Sequence, residues 1–370
     1  MYLSIDFETR STVDLTKSGV YRYTEDPTTD IVCMAFAFGD EDVEVWTPPS
    51  GQCEAWCETA KVPDAECDCF NEIPWRIVEW IEAGQPLRAH NAQFERILWR
   101  DVLGPRYGFP VPTLEQWHCT AAEAAAMALP RHLALAAKAL SLPMQKDEGG
   151  HRLMLQMCKP RKVEKDGTII WWDDADRMGR LIEYCKQDVR TERAVAARVR
   201  RLDKRERAIY LLDQKINDRG IRLDVPLIEA AQSVVESALV DANREIAKVT
   251  KGAVSGVTKV ADLTQWLQQQ GVEVEDVRKS TIRDLLADSD ALDDHVQEAL
   301  TLRQEAGKSS TAKLKSMQAC RCSDDRARGL LLYHGATTGR WSGKLIQPQN
   351  FPRGTVKDAE AYIPMILEGI

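Results

Sequence analysis

The chain has 370 residues, of which 44% are hydrophobic and 29% charged, and this balance excludes an intrinsically disordered protein. Its length predicts two domains. No stretch approaches ~18 uninterrupted apolar residues, and Asp6, Glu8 and Arg10 interrupt the N-terminus, so the sequence predicts neither a membrane span nor an export signal. We therefore expect the ten cysteines to be reduced thiols in the cytoplasm.

The net charge of −8 is unevenly distributed along the chain. Residues 303–353, here called the basic segment, carry ten Lys or Arg and three acids, which gives +7, while the rest of the chain sums to −15. Such a concentration of positive charge is typical of a surface that contacts phosphates. A solvated helix face is the alternative that the charge pattern alone leaves open.

The first two hundred residues alternate between strand and helix patterns. Short apolar runs predict strands at Tyr2–Phe7, Ile31–Phe38, Val43–Trp46 and Leu87–His90. Helical periodicity predicts helices at Trp75–Ala83, Gln93–Val102, Ala121–Ala128, His132–Leu140 and Arg177–Leu202. Hairpin-like strands followed by strands separated by helices predict an α/β domain with a mixed sheet over residues 1–202.

The pattern changes after Leu202, where we place the domain boundary. Long helices are predicted at Lys204–Asn217, Val225–Val249, Val260–Gln270, Ser280–Leu286 and Leu292–Ser316. Residues 203–328 are therefore expected to be mainly helical. Residues 329–370 begin with an apolar strand and continue as a loop punctuated by Gly and Pro.

Three groups of carboxylates are candidates for chemistry, although each is weak evidence alone. Asp6 and Glu8 lie two apart on a predicted strand, which directs both side chains to one side. Tyr184 and Asp188 lie four apart on a predicted helix and share a face. Between them, a strand leads into a helix with Asn91 as a plausible N-cap and Glu95 one turn later.

Taken in order, the sequences DFE, HNAQFE and YCKQD resemble the three motifs of the DEDD superfamily of 3′–5′ exonucleases. Tyr184, together with Glu183 where the other branch has His, resembles the DEDDy branch that proofreads in family A DNA polymerases. The resemblance implies an RNase H-like (DnaQ-like) domain with a mixed five-stranded sheet. One position departs from the pattern: the second motif has Glu95 where the best-known polymerases have Asp.

The resemblance also implies a two-metal site for Mg²⁺ or Mn²⁺, ions that prefer hard oxygen ligands. Asp6, Glu8 and Asp188 would hold the first ion, Asp6 would bridge to the second, and Glu95 would support the second. Tyr184 would orient the attacking water. Further residues that would contact the substrate strand are Thr9, Asn91 and Phe94.

A second resemblance covers the end of the chain. The sequences TGRWS (Thr338–Ser342) and QPQNFPR (Gln347–Arg353) resemble the signature just upstream of the family A polymerase palm. Ile216–Asp224 and Arg303–Leu314 look like the two ends of the polymerase thumb, which would occupy residues 203–328, with the palm starting at 329. The expected contacts to duplex DNA are Arg303, Lys308, Lys313, Thr338, Arg340, Gln347, Gln349, Asn350 and Arg353.

The catalytic palm and fingers motifs of a family A polymerase are absent from these 370 residues. The resemblance therefore implies a truncated polymerase or the product of a split gene. We expect no primer extension by this chain alone. Its expected partners are single-stranded DNA, primer–template DNA and a polypeptide that carries the remaining palm and fingers. The expected location is the cytoplasm of the bacterium that the phage infects.

Four cysteines, Cys53, Cys57, Cys67 and Cys69, lie close together in an acidic stretch. Four thiolates could close a Zn²⁺ tetrahedron, and free thiols are the alternative.

Two other functions remain open for the whole chain. One is an RNase D-like RNA exonuclease, which shares the DEDDy motifs but would lack the signature at 338–353. The other is a non-catalytic DNA-binding scaffold. The presence of an acidic residue at all four motif positions argues against it.

Overall fold

The computed structural model describes residues 1–49, 69–70, 72–143, 148–287, 292–306, 309–351, 354 and 357–369. Two compact units emerge from the contacts between residues. The sheet unit comprises residues 1–222 and 320–349, and the helical unit comprises residues 223–319 and 350–370. The predicted functional boundaries at 202 and 328 stay predictions. Among the described residues, no helix combines the length and apolar character that crossing a membrane requires.

A mixed sheet forms the centre of the sheet unit. Its strands are β1 (Leu3–Arg10), β2 (Asp30–Phe38), β3 (Glu44–Trp46), β4 (Cys69–Phe70), β5 (Leu87–Ala89) and β6 (Trp117–Cys119), in the order β4-β3-β2-β1-β5-β6. The β1–β2 and β2–β3 pairs are antiparallel, whereas β1–β5, β5–β6 and β3–β4 are parallel. The predicted mixed α/β sheet is confirmed, with β4 as an additional two-residue strand at one edge.

Helices cover both faces of this sheet. They are α1 (Leu15–Thr24), α2 (Trp75–Glu82), α3 (Gln93–Leu98), α4 (Gly104–Tyr107), α5 (Thr120–Ala126), α6 (Leu133–Ala139), α7 (Glu148–Met157), α8 (Ala175–Ala196) and α9 (Lys204–Arg219). A π-helical turn at Trp99–Leu103 continues α3. The unit also contains three short antiparallel pairs: β7 (Lys162–Val163) with β8 (Ile169–Ile170), β9 (Ile221–Arg222) with β10 (Arg326–Ala327), and β11 (Leu331–Leu332) with β12 (Ser342–Gly343).

The two faces of β2 carry side chains of different size. Cys33, Ala35 and Ala37 pack against Ile182 and Val189 of α8, and all five are buried. The other face carries larger side chains, Met34, Phe36 and Phe38, which belong to the main core. A strand buried on both faces has an uninterrupted apolar sequence. The small residues let α8 approach the sheet closely, and this places Tyr184 and Asp188 beside β1.

The helical unit confirms that the second half is mainly helical. Its helices are α10 (Val225–Val249), α11 (Val260–Gln269), α12 (Lys279–Ala287), α13 (Asp294–Ala306), α14 (Ser309–Ala319) and α15 (Ile363–Leu367). Its buried core includes Ile246, Trp266, Leu267, Val296 and Leu300. Within the helix predicted at Leu292–Ser316, α13 and α14 are helical, and residues 307 and 308 between them lie outside the described residues.

A partly buried ion pair joins α3 to α9 within the sheet unit. Arg96, whose side chain is 8% exposed, donates hydrogen bonds of 2.6 and 3.0 Å to the two carboxylate oxygens of Asp218. The Tyr21 hydroxyl donates to the same carboxylate at 2.6 Å. Because Arg96 directly follows Glu95, this ion pair helps to fix the position of the helix that carries Glu95.

We expect Asp218→Asn to lower the free energy of unfolding by about 3 kcal/mol, because it leaves the Arg96 guanidinium buried beside a neutral group. Urea denaturation followed by circular dichroism measures this loss. The matched control is Asp40→Asn, since the exposed Asp40 faces Arg193 at 3.7 Å and should contribute nothing measurable. Equal stability of the two variants would contradict the role given to Asp218.

Candidate active site

Two carboxylates lie side by side on β1. Asp6 is opposite Ala35 of β2 and Glu8 is opposite Cys33, so both side chains leave the same face of the sheet. Asp6 is half-buried and Glu8 is 7% exposed. The register of the β1–β2 pair shifts between Glu8 and Thr9, and such irregularities redirect a strand next to a site. The backbone therefore fixes the spacing of the two carboxylates.

Cys185 of α8 completes the closest cluster in the described part of the chain, and no motif in the sequence pointed to it. Its thiol lies 3.4 Å from both the main-chain oxygen and Oδ2 of Asp6. Ligand atoms of Asp6, Glu8 and Cys185 all lie within 4.8 Å of one another. Burial, Cys33 and the carboxylates raise the pKa of the Cys185 thiol. It therefore stays protonated and donates to Asp6.

Tyr184 and Asp188 of α8 line the same cleft as Asp6 and Glu8. Tyr184 is 2% exposed and Asp188 is 6% exposed. Burial, followed by the charges of Asp188, Glu8 and Asp6, raises the pKa of the Tyr184 phenol. The Tyr184 hydroxyl is therefore protonated at neutral pH and surrounded by carboxylates.

Glu95 of α3 reaches the site from the other side of β1. It is 3% exposed, and its Oε2 is buried without a hydrogen-bond partner among the described residues. Burial raises the pKa of the Glu95 carboxyl well above its usual range, and the charge of Asp6 raises it further. A buried carboxylate oxygen of this kind needs either a proton or a cation.

All five of these motif residues line one cleft with a volume of about 440 Å³. The predicted strand contacts Thr9, Asn91 and Phe94 line the same cleft. The Thr9 hydroxyl lies 3.0 Å from the Tyr23 hydroxyl, so it is already held in place. The prediction of Asn91 as an N-cap is wrong: Ala92 is the N-cap of α3, and Asn91 is exposed with a left-handed φ of 73°.

The opposite wall of the cleft was not predicted. It is formed by Met154 and Leu155 of α7 and by Cys158 and Lys159, which follow it. Leu155 is 49% exposed, which leaves an apolar side chain open to whatever enters. The cleft therefore combines a carboxylate floor with an apolar wall.

The residues present fit divalent cations. Asp6, Glu8, Glu95 and Asp188 supply oxygen donors, which Mg²⁺ and Mn²⁺ prefer. The unpartnered Oε2 of Glu95 agrees with this reading. The protonated Cys185 thiol is a hydrogen-bond donor rather than a thiolate ligand, so it does not point to zinc. The assignment of the four carboxylates to two ions stays a prediction.

The polymerase-like signature lies on the β11–β12 hairpin and the chain that follows it. Thr338 and Arg340 are exposed in the turn, where the Ala336 amide donates to the Arg340 carbonyl at 3.0 Å. Gln349 and Asn350 are also exposed, whereas Gln347 is half-buried. The turn thus offers several exposed polar side chains, and their predicted contacts to DNA stay predictions.

Part of the basic segment has a structural role that its net charge does not indicate. Arg321 pairs with Asp325 at 2.8 Å, and Arg328 pairs with Asp324 at 2.6 Å. Arg328 and Arg326 also donate to main-chain oxygens at the end of α9. These three arginines form ion pairs and hydrogen bonds within the sheet unit, so fewer than ten cations of the basic segment are available to contact phosphates.

The remaining predicted residues lie in the helical unit or outside the described residues. Arg303 of α13 is half-buried, and the Lys313 Nζ lies 5.9 Å from the Phe351 ring centroid. Lys308 and Arg353 lie outside the described residues. So do Cys53, Cys57 and Cys67 of the cysteine group, while Cys69 begins β4.

The fold and cleft together define an α/β protein with a carboxylate-lined cleft. The chain is 33% identical over 366 residues to a protein described as a DNA polymerase from Bacillus phage SP02. That match covers 97% of this chain and 52% of the relative, so the chain spans about half of the relative's length. The predicted resemblance to a phage-type DNA polymerase therefore agrees with this match.

The polymerase domain of Pol1 from M. smegmatis, solved in complex with DNA primer–template and dNTP, aligns with a TM-score of 0.48 and 14% identity. The alignment covers 96% of this chain and 53% of that one. No protein-family model matches the chain.

Proposed function

We propose that this chain is the 3′–5′ exonuclease and thumb portion of a phage-type family A DNA polymerase. In this role it removes 3′-terminal nucleotides from single-stranded DNA with Mg²⁺ or Mn²⁺. The main support is that Asp6, Glu8, Glu95, Tyr184 and Asp188, far apart in sequence and on three different elements, line one cleft. This convergence is what the three motifs require and is difficult to obtain by chance.

The chemistry explains why a cluster of carboxylates suits this reaction. Phosphodiester hydrolysis adds negative charge to an anionic phosphate, and two divalent ions roughly 4 Å apart stabilise the attacking and leaving oxygens. Asp6, Glu8 and Asp188 would hold one ion, and Asp6 with Glu95 would hold the other. Cys185 restrains the Asp6 carboxylate from behind, at 3.4 Å.

Tyr184 and the cleft walls have separate tasks in this proposal. The protonated Tyr184 hydroxyl orients the attacking water, because the raised pKa of the phenol keeps its proton in place. Thr9, Asn91 and Phe94, which all line the cleft, contact the terminal nucleotide. These residues position the scissile phosphate over the carboxylates, and such positioning supplies a large part of the rate.

The other half of the chain would bind primer–template DNA. Arg340, Gln347, Gln349 and Asn350 would approach the minor groove, where acceptors common to all base pairs permit contact without sequence preference. The remaining palm and fingers would come from another polypeptide or from a longer form of this chain. Such a protein would act in the cytoplasm of the bacterial host.

The decisive experiment uses 5′-labelled single-stranded DNA. We expect the purified chain to shorten it stepwise from the 3′ end and to release 5′-mononucleotides with Mg²⁺ or Mn²⁺, but not in excess EDTA, because the carboxylates act through the ions. An RNA of the same sequence tests the RNase D-like alternative. Degradation that persists in EDTA, or that is confined to RNA, would contradict the proposed function.

A further inference from the structure

A short hairpin begins at the cleft wall, with Cys158 and Lys159, and extends beyond the site described above. Residues 158–172 contain β7, a turn with Gly167 at a φ of 88°, and β8. The Arg161 amide donates to the Ile170 carbonyl at 2.8 Å, and the Glu164 amide donates to the Thr168 carbonyl at 2.9 Å. We call this element the cleft-rim hairpin. These hydrogen bonds join the two strands of the hairpin, so the positions of its side chains are fixed by a regular backbone.

The cleft-rim hairpin carries exposed positive charge. Lys159, Arg161 and Lys165 are all exposed. Lys162 pairs with Glu164 at 2.7 Å, whereas neither Arg161 nor Lys165 forms an ion pair in the described part of the chain. Two cations are therefore available at its surface for an anionic ligand.

Two adjacent tryptophans end the hairpin and have different surroundings. Trp172 packs against the cluster that includes Tyr184, and the guanidinium carbons of Arg161 and Arg177 lie 5.2 and 5.0 Å from its ring centroid. Trp172 therefore anchors the hairpin. Trp171 is half-buried, with the Arg10 guanidinium 5.1 Å from its ring centroid.

The hairpin is continuous with the cleft. Lys159 lines the cleft, and the Cys158 carbonyl accepts a hydrogen bond of 3.1 Å from the Ser11 amide. Arg10, the last residue of β1, also forms a 2.9 Å ion pair with Asp173. A strand that leaves the carboxylates past Lys159 would therefore meet Trp171 and Arg161 next.

We propose that the cleft-rim hairpin binds the single-stranded DNA segment that precedes the scissile phosphate, with a base stacked on Trp171 and phosphates contacted by Lys159, Arg161 and Lys165. This inference rests on the proposed function and adds a binding surface to it. Proteins that bind single strands without sequence preference combine aromatic stacking with a cationic path for the backbone. The hairpin places both chemistries directly beyond the cleft.

Equilibrium binding tests the hairpin separately from hydrolysis. The probe is a fluorescein-labelled thymidine dodecamer, and its anisotropy is measured in EDTA, where no hydrolysis is expected. We expect Trp171→Ala to raise the Kd roughly tenfold and Trp171→Phe to restore most of the affinity. The matched control is Trp75→Ala, because Trp75 is 66% exposed and lies outside the cleft. An unchanged Kd for Trp171→Ala would overturn the proposal.

The dependence of the Kd on salt concentration tests the role of the cations. Each phosphate contact to a single strand contributes about 0.7 to the slope of log Kd against log salt. Arg161→Ala/Lys165→Ala should lower that slope by about 1.4, and Lys165→Ala, which keeps the Arg161–Trp172 contact, by about 0.7. Trp171→Ala should leave it unchanged. The control is Lys204→Ala/Arg205→Ala on α9, two exposed cations elsewhere in the sheet unit. Equal slopes for both double variants would overturn the role of the cations.

Hydrolysis then separates this proposal from the proposed function. Trp171→Ala should lower kcat/KM for the dodecamer about tenfold but leave a thymidine dinucleotide unaffected, because the dinucleotide is too short to reach Trp171, which does not line the cleft. Equal losses on both substrates would show that the hairpin only supports the cleft. If the wild-type chain binds through the hairpin but hydrolyses neither substrate, the proposed function fails and the binding surface stands.

Discussion

Asp6→Ala is expected to lower the rate of metal-dependent hydrolysis of single-stranded DNA by on the order of 10³-fold. Asp6 lies at the centre of the cluster: its carboxylate is next to Glu8, accepts from Cys185 and raises the pKa of Glu95. Removing it deletes the ligand proposed to be shared by both ions. The fold should survive, because Asp6 is half-buried and the adjacent core positions Ile5 and Phe7 are untouched.

Single-turnover hydrolysis at saturating Mg²⁺ measures this effect, with thermal unfolding as the check on folding. The matched control is Asp42→Ala, an exposed aspartate of the same unit that does not line the cleft. A folded Asp6→Ala variant that hydrolyses DNA as fast as Asp42→Ala would show that the cleft is not the hydrolytic site.

Local sequence patterns predicted the parts of the fold that depend on burial. The ends of β2 and α10 were predicted to within a residue. The apolar run of β2 indicates a buried strand, and the long amphipathic repeat of α10 indicates a helix. Elements without a strong apolar pattern were missed. α1 contains a non-helical Gly19, and α7 begins with Gly149 and Gly150, which disfavour a helix, so neither sequence has the pattern of a regular helix.

The candidate site was predictable where it consists of spaced charged residues, and less so where it depends on packing. The motif residues Asp6, Glu8, Glu95, Tyr184 and Asp188 converge as expected. Cys185 was missed because its contact with Asp6 depends on how closely α8 approaches the sheet, which the small residues on β2 determine. The apolar wall at Leu155 comes from tertiary placement of α7, which no local pattern contains.

The basic segment shows the limit of counting charges. Its total of +7 indicates a surface for phosphates, yet Arg321 and Arg328 each pair with an acid four residues away. Such pairs follow from local chain geometry and cannot be seen in a sum. The exposed Arg340 in the β11–β12 turn remains a better candidate for DNA contact than these two arginines.

Glu95→Gln is expected to lower the hydrolysis rate about 10- to 100-fold and to weaken the apparent affinity for the second ion, because the amide keeps the shape but loses the charge. Glu95→Asp should be milder, since it keeps the charge. Metal titrations of the single-turnover rate measure both effects. The matched control is Glu123→Gln: Glu123 is also buried, with its pKa raised to about 7, but it does not line the cleft.

The same substitution should change how stability depends on pH. Burial raises the pKa of Glu95 in the folded, metal-free protein above its value in the unfolded chain, so the folded state holds a proton that the unfolded state releases. Stability in EDTA should therefore fall as pH rises from the unfolded value, about 4.3, through the folded one. Glu95→Gln cannot titrate and should show a shallower fall. Glu123→Gln should also flatten the profile while hydrolysing DNA at the wild-type rate. If both variants flatten the profile and neither loses activity, Glu95 is an ordinary buried acid and the second ion is held by other residues.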